Sequence, residues 1–266
     1  MGSRVIQLTD IHLVPRQQRV SKVLDTYTLF EQAIEKIADD LPRLGQVDAI
    51  VVTGDVSDHG DEESYRDFHA IISRLNLPYV VIPGNHDKRE AMVSAIDGLS
   101  VCGDTGELNS VYPLGAFDII ALDTVIPGSG AGALSDNTLA FLESALATDL
   151  EKPALIAMHH PPFDSGIQFM DNIGLKGRDD MARILAQSPR EKRVICGHLH
   201  NSIVCNIGNA TVLSAPGVAS SFLTDYRDDA PVGFTQDPGG YMVHDWSHGF
   251  RSTYISLSRH GGLFAF

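Results

Sequence analysis

Five short runs of β-branched and aliphatic residues, each ending abruptly in Asp, Asn or His, constrain this chain more than any other feature. Val5-Ile6-Gln7-Leu8-Thr9 runs into Asp10-Ile11-His12, and Ala49-Ile50-Val51-Val52-Thr53 into Gly54-Asp55. Val80-Val81-Ile82-Pro83 leads to Gly84-Asn85-His86-Asp87, and Leu155-Ile156-Ala157-Met158 to His159-His160. Val194-Ile195-Cys196 leads to Gly197-His198-Leu199-His200. Such runs read as strands buried on both faces. Open α/β sheets gather their functional groups in the crevice beyond the carboxyl ends of the strands. Five strands would therefore deliver five sets of polar side chains to one place, and the pattern predicts a metal site holding two ions.

Helical patterns separate the first three runs. Leu29, Phe30, Ala33, Ile34, Ile37, Ala38 and Leu41 form one apolar stripe, closed by Pro42 and Gly45. Asp61 is a candidate N-cap for a second helix that buries Tyr65, Phe68, Ile71, Ile72 and Leu75. A short helix is expected over residues 88–98. This β-α-β-α-β order predicts a parallel core with right-handed crossovers. Further on, residues 110–114 and 117–123 read as a hairpin around Gly115-Ala116, and Ser135 caps the helix carrying Leu139, Leu142, Ala145 and Leu146. Residues 164–177 read as a long polar loop, followed by a helix over 179–187. After His200 the chain is rich in strands (203–207, 210–214, 240–246 and 253–257), interrupted by an Asp-, Pro- and Gly-dense loop from Thr224 to Gly239. The whole predicts a single α/β domain over residues 1–266, two stacked sheets flanked by helices. Residues 201–266 form a strand-rich part that is a candidate cap over the site or a surface for homo-oligomerisation.

Composition narrows the partners. A net charge of −14 argues against long nucleic acids and anionic membranes, whose binding usually shows as a basic face. A small phosphate ester remains compatible, because bound divalent cations reverse the local field. Cys102, Cys196 and Cys205 are odd in number and in no metal-binding spacing, so no disulfide framework is expected. With no basic leader and no apolar run near ~20 residues, the expected location is the cytoplasm.

A lone Asp after a strand is ordinarily a helix cap or turn residue, and a lone His ordinarily packs in the core or lies at the surface. The coincidence of five such ends carries the metal reading. Asp10 and His12, like His198 and His200, stand two apart, so an extended backbone can aim both at one point. Carboxylate, carboxamide and imidazole together suit Mn, Fe, Co or Zn. His160, beside His159, is expected to point to the opposite face and pack. His59, His69, His244, His248 and His260 have no such context and read as surface or loop residues.

These blocks, in this order and spanning residues 10–200, resemble the calcineurin-like metallophosphoesterases, and most closely the bacterial class III cyclic nucleotide phosphodiesterases and glycerophosphodiesterases. The resemblance implies a four-layer αββα sandwich of two mixed β-sheets flanked by helices. It implies Asp10, His12 and His200 on one metal ion, Asn85, His159 and His198 on a second, and Asp55 bridging, with Mn, Fe, Zn or Co as the ions. His86 would face the phosphoryl or leaving group, oriented by Asp58 or Asp87. The implied reaction is hydrolysis of small phosphodiesters, 3′,5′-cyclic nucleotides or glycerophosphodiesters, by in-line attack of a metal-bound hydroxide. A phosphomonoesterase or nuclease on the same metals is the alternative within the enzymes. A metal-binding regulatory module without catalysis is the alternative outside them, disfavoured because every motif position is intact. The loops 16–19, 164–177 and 220–239 are expected to rim the site, with Phe163, Phe169, Phe222 and Tyr226 as candidates to stack a nucleobase.

Overall fold

In the computed structural model, which describes residues 2–99, 106–258, 262, 264 and 265, two mixed sheets lie face to face between two layers of helices. The first sheet has β1 (Ser3–Leu8), β2 (Ala49–Thr53) and β3 (Tyr79–Ile82) in parallel. It is extended antiparallel by β14 (Gly240–Trp246) and β15 (Phe250–Ser256), giving the order β15-β14-β1-β2-β3. The second has a parallel core of β5 (Asp118–Ala121), β7 (Ala154–Ala157), β9 (Lys192–Cys196) and β11 (Ala210–Ser214). Antiparallel β4 (Ser110–Pro113) and β10 (Val204–Ile207) close its edges.

Strand alternation accounts for the four layers. Ile6, Leu8, Ile50 and Val52 point to one face and meet α1 (Thr26–Leu44) and α2 (Glu62–Ile72) through Phe30, Ile34, Ile37, Tyr65 and Phe68. Their neighbours Val5, Ala49 and Val51 point the other way and meet Ile119, Ala121, Leu155, Ala157 and Ile195 of the second sheet. Ile120, Ile156 and Val194 then face α4 (Asp136–Ala147) and α6 (Arg178–Gln187). The expected αββα sandwich is what forms.

The helix boundaries follow local chemistry. Asp25, Asp61 and Ser135 cap α1, α2 and α4 by accepting from the backbone N–H groups of Thr28, Ser64 and Thr138. α1 begins three residues before its apolar stripe, because the Asp25 cap fixes its start. It also runs past Pro42 to Leu44: a proline in the last turn forfeits one hydrogen bond without ending the helix. α3 (Arg89–Ala95) is the short helix expected after His86. Residues 164–177 are not simply loop. They contain α5 (Gln168–Asp171) and β8 (Leu175–Lys176), and β8 pairs with β6 (Gly132–Ala133). Within the Asp- and Gly-rich stretch after His200, β12 (Ser221–Phe222) pairs with β13 (Phe234–Thr235) as a two-stranded hairpin.

His244 departs from expectation. It is fully buried in β14, with its ring nitrogens on Ser252 Oγ (2.7 Å) and Gln7 Oε1 (2.9 Å), and burial holds it at a pKa of about 3. Alternation turns its side chain into the space between the sheets, where Gln7 also donates to Thr53 Oγ1 and the Cys196 carbonyl. His69 is partly buried and bonded to the Tyr79 hydroxyl (2.6 Å), His59 and His248 are exposed, and His260 and Cys102 lie outside the described residues.

Candidate metal centre

The residues following β1, β2, β3, β7 and β9 converge at one end of both sheets. Asp10, His12, Asp55, His198 and His200 all have positive φ, between 49° and 68°. Non-glycine residues rarely adopt the left-handed region, and strained backbone of this kind concentrates at functional sites. Only three other non-glycine residues among those described share it, Ser21, Lys22 and Asn76. The loops lock each other in place: Asp10 and His12 donate their N–H groups to the Gly54 and Asp55 carbonyls, and His198 donates to the Asp10 carboxylate. Two glycines are required by this closeness. A Cβ on Gly84 would collide with the Asp55 carboxylate, and one on Gly197 with Thr9 Oγ1.

Two donor sets result. In one, His12 Nε2 lies 3.2 Å from His200 Nε2, and His200 Nε2 lies 3.5 Å from Asp10 Oδ1. In the other, Asn85 Oδ1 lies 3.1 Å from His159 Nε2 and 3.0 Å from His198 Nδ1. Asp55 Oδ2 faces both, 3.6 Å from His12 Nε2 and 3.4 Å from His159 Nε2. Bonds of about 2.1 Å to a divalent ion put neighbouring donors about 3.0–3.4 Å apart, so these spacings are those of ligand-shell edges. The residues present fit two ions.

Electrostatics point the same way. Burial raises Asp10 to about 6, whereas the charges of His159, His12 and His86 overcome burial and hold Asp55 well below the carboxylate range. Burial opposes protonation of His12 and His159, but the hydrogen bond to the Asp58 carboxylate and the charges of Asp55 and Asp10 raise His12 to about 9. The charge of Asp55, its hydrogen bond and that of Asp10 do the same for His159, also about 9. Burial pushes His198 and His200 well down, keeping them neutral. A buried pocket with two carboxylates thus draws positive charge onto itself, which a cation supplies better than protons.

The supporting contacts fix tautomers. His12 Nδ1 is 2.9 Å from the Asp58 carboxylate, His159 Nδ1 donates to the Thr53 carbonyl (2.8 Å), and His200 Nδ1 is 3.0 Å from Ser220 Oγ. Each leaves Nε2 facing the donor set. His160 stands close to His159 and His198, yet its Nε2 donates to the Gly130 carbonyl (3.2 Å) and its Nδ1 accepts from Thr124 (2.8 Å), so both nitrogens are committed to protein.

His86 is the exposed member, and its Nδ1 donates to the Asp58 carbonyl oxygen (2.9 Å). The Asp58 carboxylate is turned to His12. Asp87 does not orient His86, against expectation: its carboxylate accepts from the N–H groups of Val56, Ser57 and Gly84 and from the Tyr65 hydroxyl, tying the Gly54 and Gly84 loops together. His12, Asp55, Asp58, Asn85, His86, His198 and His200 form the floor of a cavity of about 300 Å³. Its walls come from Val20, Ser21 and Leu24, from Phe169, Met170 and Ile173, and from Ala219, Ser220, Phe222 and Phe234. Arg16 and Arg19 do not reach it; they pair with Glu31 and Asp25. Phe163 is core and Tyr226 is two-thirds exposed, so of the four expected aromatics only Phe169 and Phe222 line the cavity. Phe234 is an addition.

An αββα sandwich bearing a dinuclear donor set at its strand ends defines a metal-dependent phosphoesterase. The chain belongs to the calcineurin-like phosphoesterase family, whose model matches residues 3–202. It is 30% identical to a probable glycerophosphodiester phosphodiesterase, GpdQ, of Arcobacter nitrofigilis, over 91% of this chain and 88% of that one. It is 31% identical to the 3′,5′-cyclic adenosine monophosphate phosphodiesterase CpdA of Pseudomonas aeruginosa, over 84% and 79%. A dimetal phosphatase from Danio rerio shares the fold, with a TM-score of 0.72 at 13% identity over 96% of each chain.

Proposed function

We propose that this enzyme hydrolyses small phosphodiesters, 3′,5′-cyclic nucleotides or glycerophosphodiesters, with two divalent ions of Mn, Fe, Zn or Co. The observation that carries the reading is Asp55: one carboxylate oxygen faces both donor sets, 3.6 Å from His12 and 3.4 Å from His159. Asp10, His12 and His200 would hold one ion, Asn85, His159 and His198 the other, and Asp55 both. Such a pair supplies a water-derived nucleophile near neutral pH and offsets charge on the phosphoryl oxygens.

The chain's own residues do the rest. Asp55 sets the spacing and accepts the N–H of His86 (2.9 Å), placing that histidine at the cavity floor. With Nδ1 donating to the Asp58 carbonyl, His86 presents Nε2 to the cavity. Its imidazolium form donates there, to a phosphoryl oxygen or to the departing alkoxide. The cavity wall contains no Lys or Arg to grip the second charge of a monoester, which favours the diester. Free Cys196 and Cys205 support a reducing, cytoplasmic site of action. No described helix is long and apolar enough to cross a membrane.

Hydrolysis of bis(p-nitrophenyl) phosphate against p-nitrophenyl phosphate, after chelation and re-addition of Mn²⁺, tests the reading. Metal-dependent preference for the diester is expected. Preference for the monoester would make the enzyme a phosphatase.

A further inference from the structure

The hairpin of β12 and β13 carries an aromatic surface directly to the metal centre. Phe222 and Phe234 are cross-strand partners, so both rings lie on one face of the hairpin, and both line the cavity. Phe222 lies against the ring of His200, centroids 4.4 Å apart and planes at 32°, and Phe169 and Phe222 meet nearly perpendicular, centroids 5.2 Å apart at 88°. The wall therefore begins at a candidate ligand and runs outward along the hairpin. Around it stand Met170, Ile173, Leu24 and Ala219.

The polar inventory of the wall is short. Ser220 is bonded to His200, which leaves Ser21 as the hydroxyl beyond the metal and phosphoryl-facing residues. A glycerol group placed there would bury hydroxyls with few partners, at a cost of about 10-fold in affinity for each one left unpaired. A planar ring gains instead, since stacking a base on an aromatic side chain contributes about 5- to 100-fold. The amide and carboxylates of the described lining, Asn85, Asp55 and Asp58, stand at the floor and are engaged with His159, His198 and His12, which leaves none on the wall to read the edge of a base.

We infer that Phe222, Phe234 and Phe169 receive the planar, ring-bearing alcohol portion of the diester and hold it by stacking alone, so that the enzyme selects an aromatic substituent without discriminating which base it is. The inference rests on the phosphodiesterase reading and chooses within it. Selection follows from the cost of burying a polyol, and indifference from the lack of edge-reading groups.

The test uses the Mn²⁺-loaded enzyme, wild type and Phe234→Ala, with Phe222→Leu as a variant that keeps apolar bulk. Kinetics are measured on 3′,5′-cyclic AMP, 3′,5′-cyclic GMP and glycerophosphoethanolamine. Calorimetric titrations with AMP and with inorganic phosphate give a readout apart from turnover. Expected are a kcat/KM preference for cyclic nucleotides of about 10-fold or more, and the two purines within about 5-fold of each other. Both variants should lower that preference by about 5-fold or more, through KM, and lower the AMP-to-phosphate affinity ratio equally. Metal content and circular dichroism identify a variant that has lost its ions or fold, in which case the other variant decides. Efficient diester hydrolysis with no aromatic preference, or a preference unmoved by both variants, would overturn the wall while leaving the phosphodiesterase reading intact. Discrimination between the purines beyond about 20-fold would overturn stacking as the sole hold. If no diester is cleaved, that reading fails instead, and the Phe234-dependence of AMP binding still judges the wall.

Discussion

His86 and its sequence neighbours show how adjacent residues divide their tasks. Asn85 turns into a donor set, His86 faces the cavity, and Asp87 turns back to stitch two loops. His86 clusters with His12 and Asp55, but it is the exposed member and commits Nδ1 to the Asp58 carbonyl, so its loss should leave the ions in place. His86→Ala is expected to lower kcat by about 10²- to 10⁴-fold with metal content unchanged. Equal loss of metal and turnover, read by elemental analysis beside kinetics, would make it a ligand. The candidate donors stood out in the sequence because each lies within four residues of the end of a buried strand. The orienting acid did not, because proximity in sequence says little about direction: Asp87 adjoins His86 yet points away, while Asp58 serves His86 through its backbone carbonyl, which any residue possesses. His244 misled for a related reason. Its polar type suggested the surface, but β14 is buried on both faces and Gln7 and Ser252 satisfy its ring.

Elements are joined by a few buried charges. Asp40, near the end of α1, pairs with Lys36 and Arg43 and accepts from the Tyr241 hydroxyl of β14 (2.7 Å), binding helix to sheet. Burial alone would raise its pKa, but the Lys36 and Tyr241 hydrogen bonds, with Arg43, hold it below 3.8. A carboxyl depressed on folding stabilises fully above its unfolded pKa, and that contribution fades as pH falls through the lower, folded value. Asp40→Asn should therefore cost about 3 kcal/mol at pH 7. The gap to wild type should narrow only below about pH 3.8, in urea titrations at successive pH values. A gap that stays constant down to pH 2 would show that folding leaves the Asp40 pKa unshifted. Sequence periodicity found elements down to four-residue strands and missed the two-residue strands and the single turn of α5. β12 and β13 have two residues each, too few to display alternation, and their pairing depends on bringing Ser221 and Thr235 together across a loop. Phe169 and Phe222 were already candidates, and Phe234 was hidden for that reason, looking like one more loop residue.

At the scale of the whole molecule, the centre is where the two sheets are tied. Asp10 and Asp55 follow strands of the first sheet, His159, His198 and His200 follow strands of the second, and ions held between them would cross-link the sandwich. Without ions those carboxylates are compensated by protons on His12 and His159, which bound cations would displace. Binding to the folded chain alone stabilises it by mass action, by about 2.7 kcal/mol for each ion when free metal stands 100-fold above its Kd. For a chain of this size that corresponds to a rise in Tm of about 5–10 °C per ion. Chelation followed by Mn²⁺ titration in a thermal scan should show that rise, saturating at two ions per chain by elemental analysis. Asp55→Ala separates the cross-link from ordinary binding. It removes the carboxylate shared by both donor sets, so its apo form should melt below the wild-type apo form, and most of the Mn²⁺-dependent rise above that variant baseline should disappear. An Asp55→Ala chain that still gained the full rise would place the ions elsewhere than between the sheets.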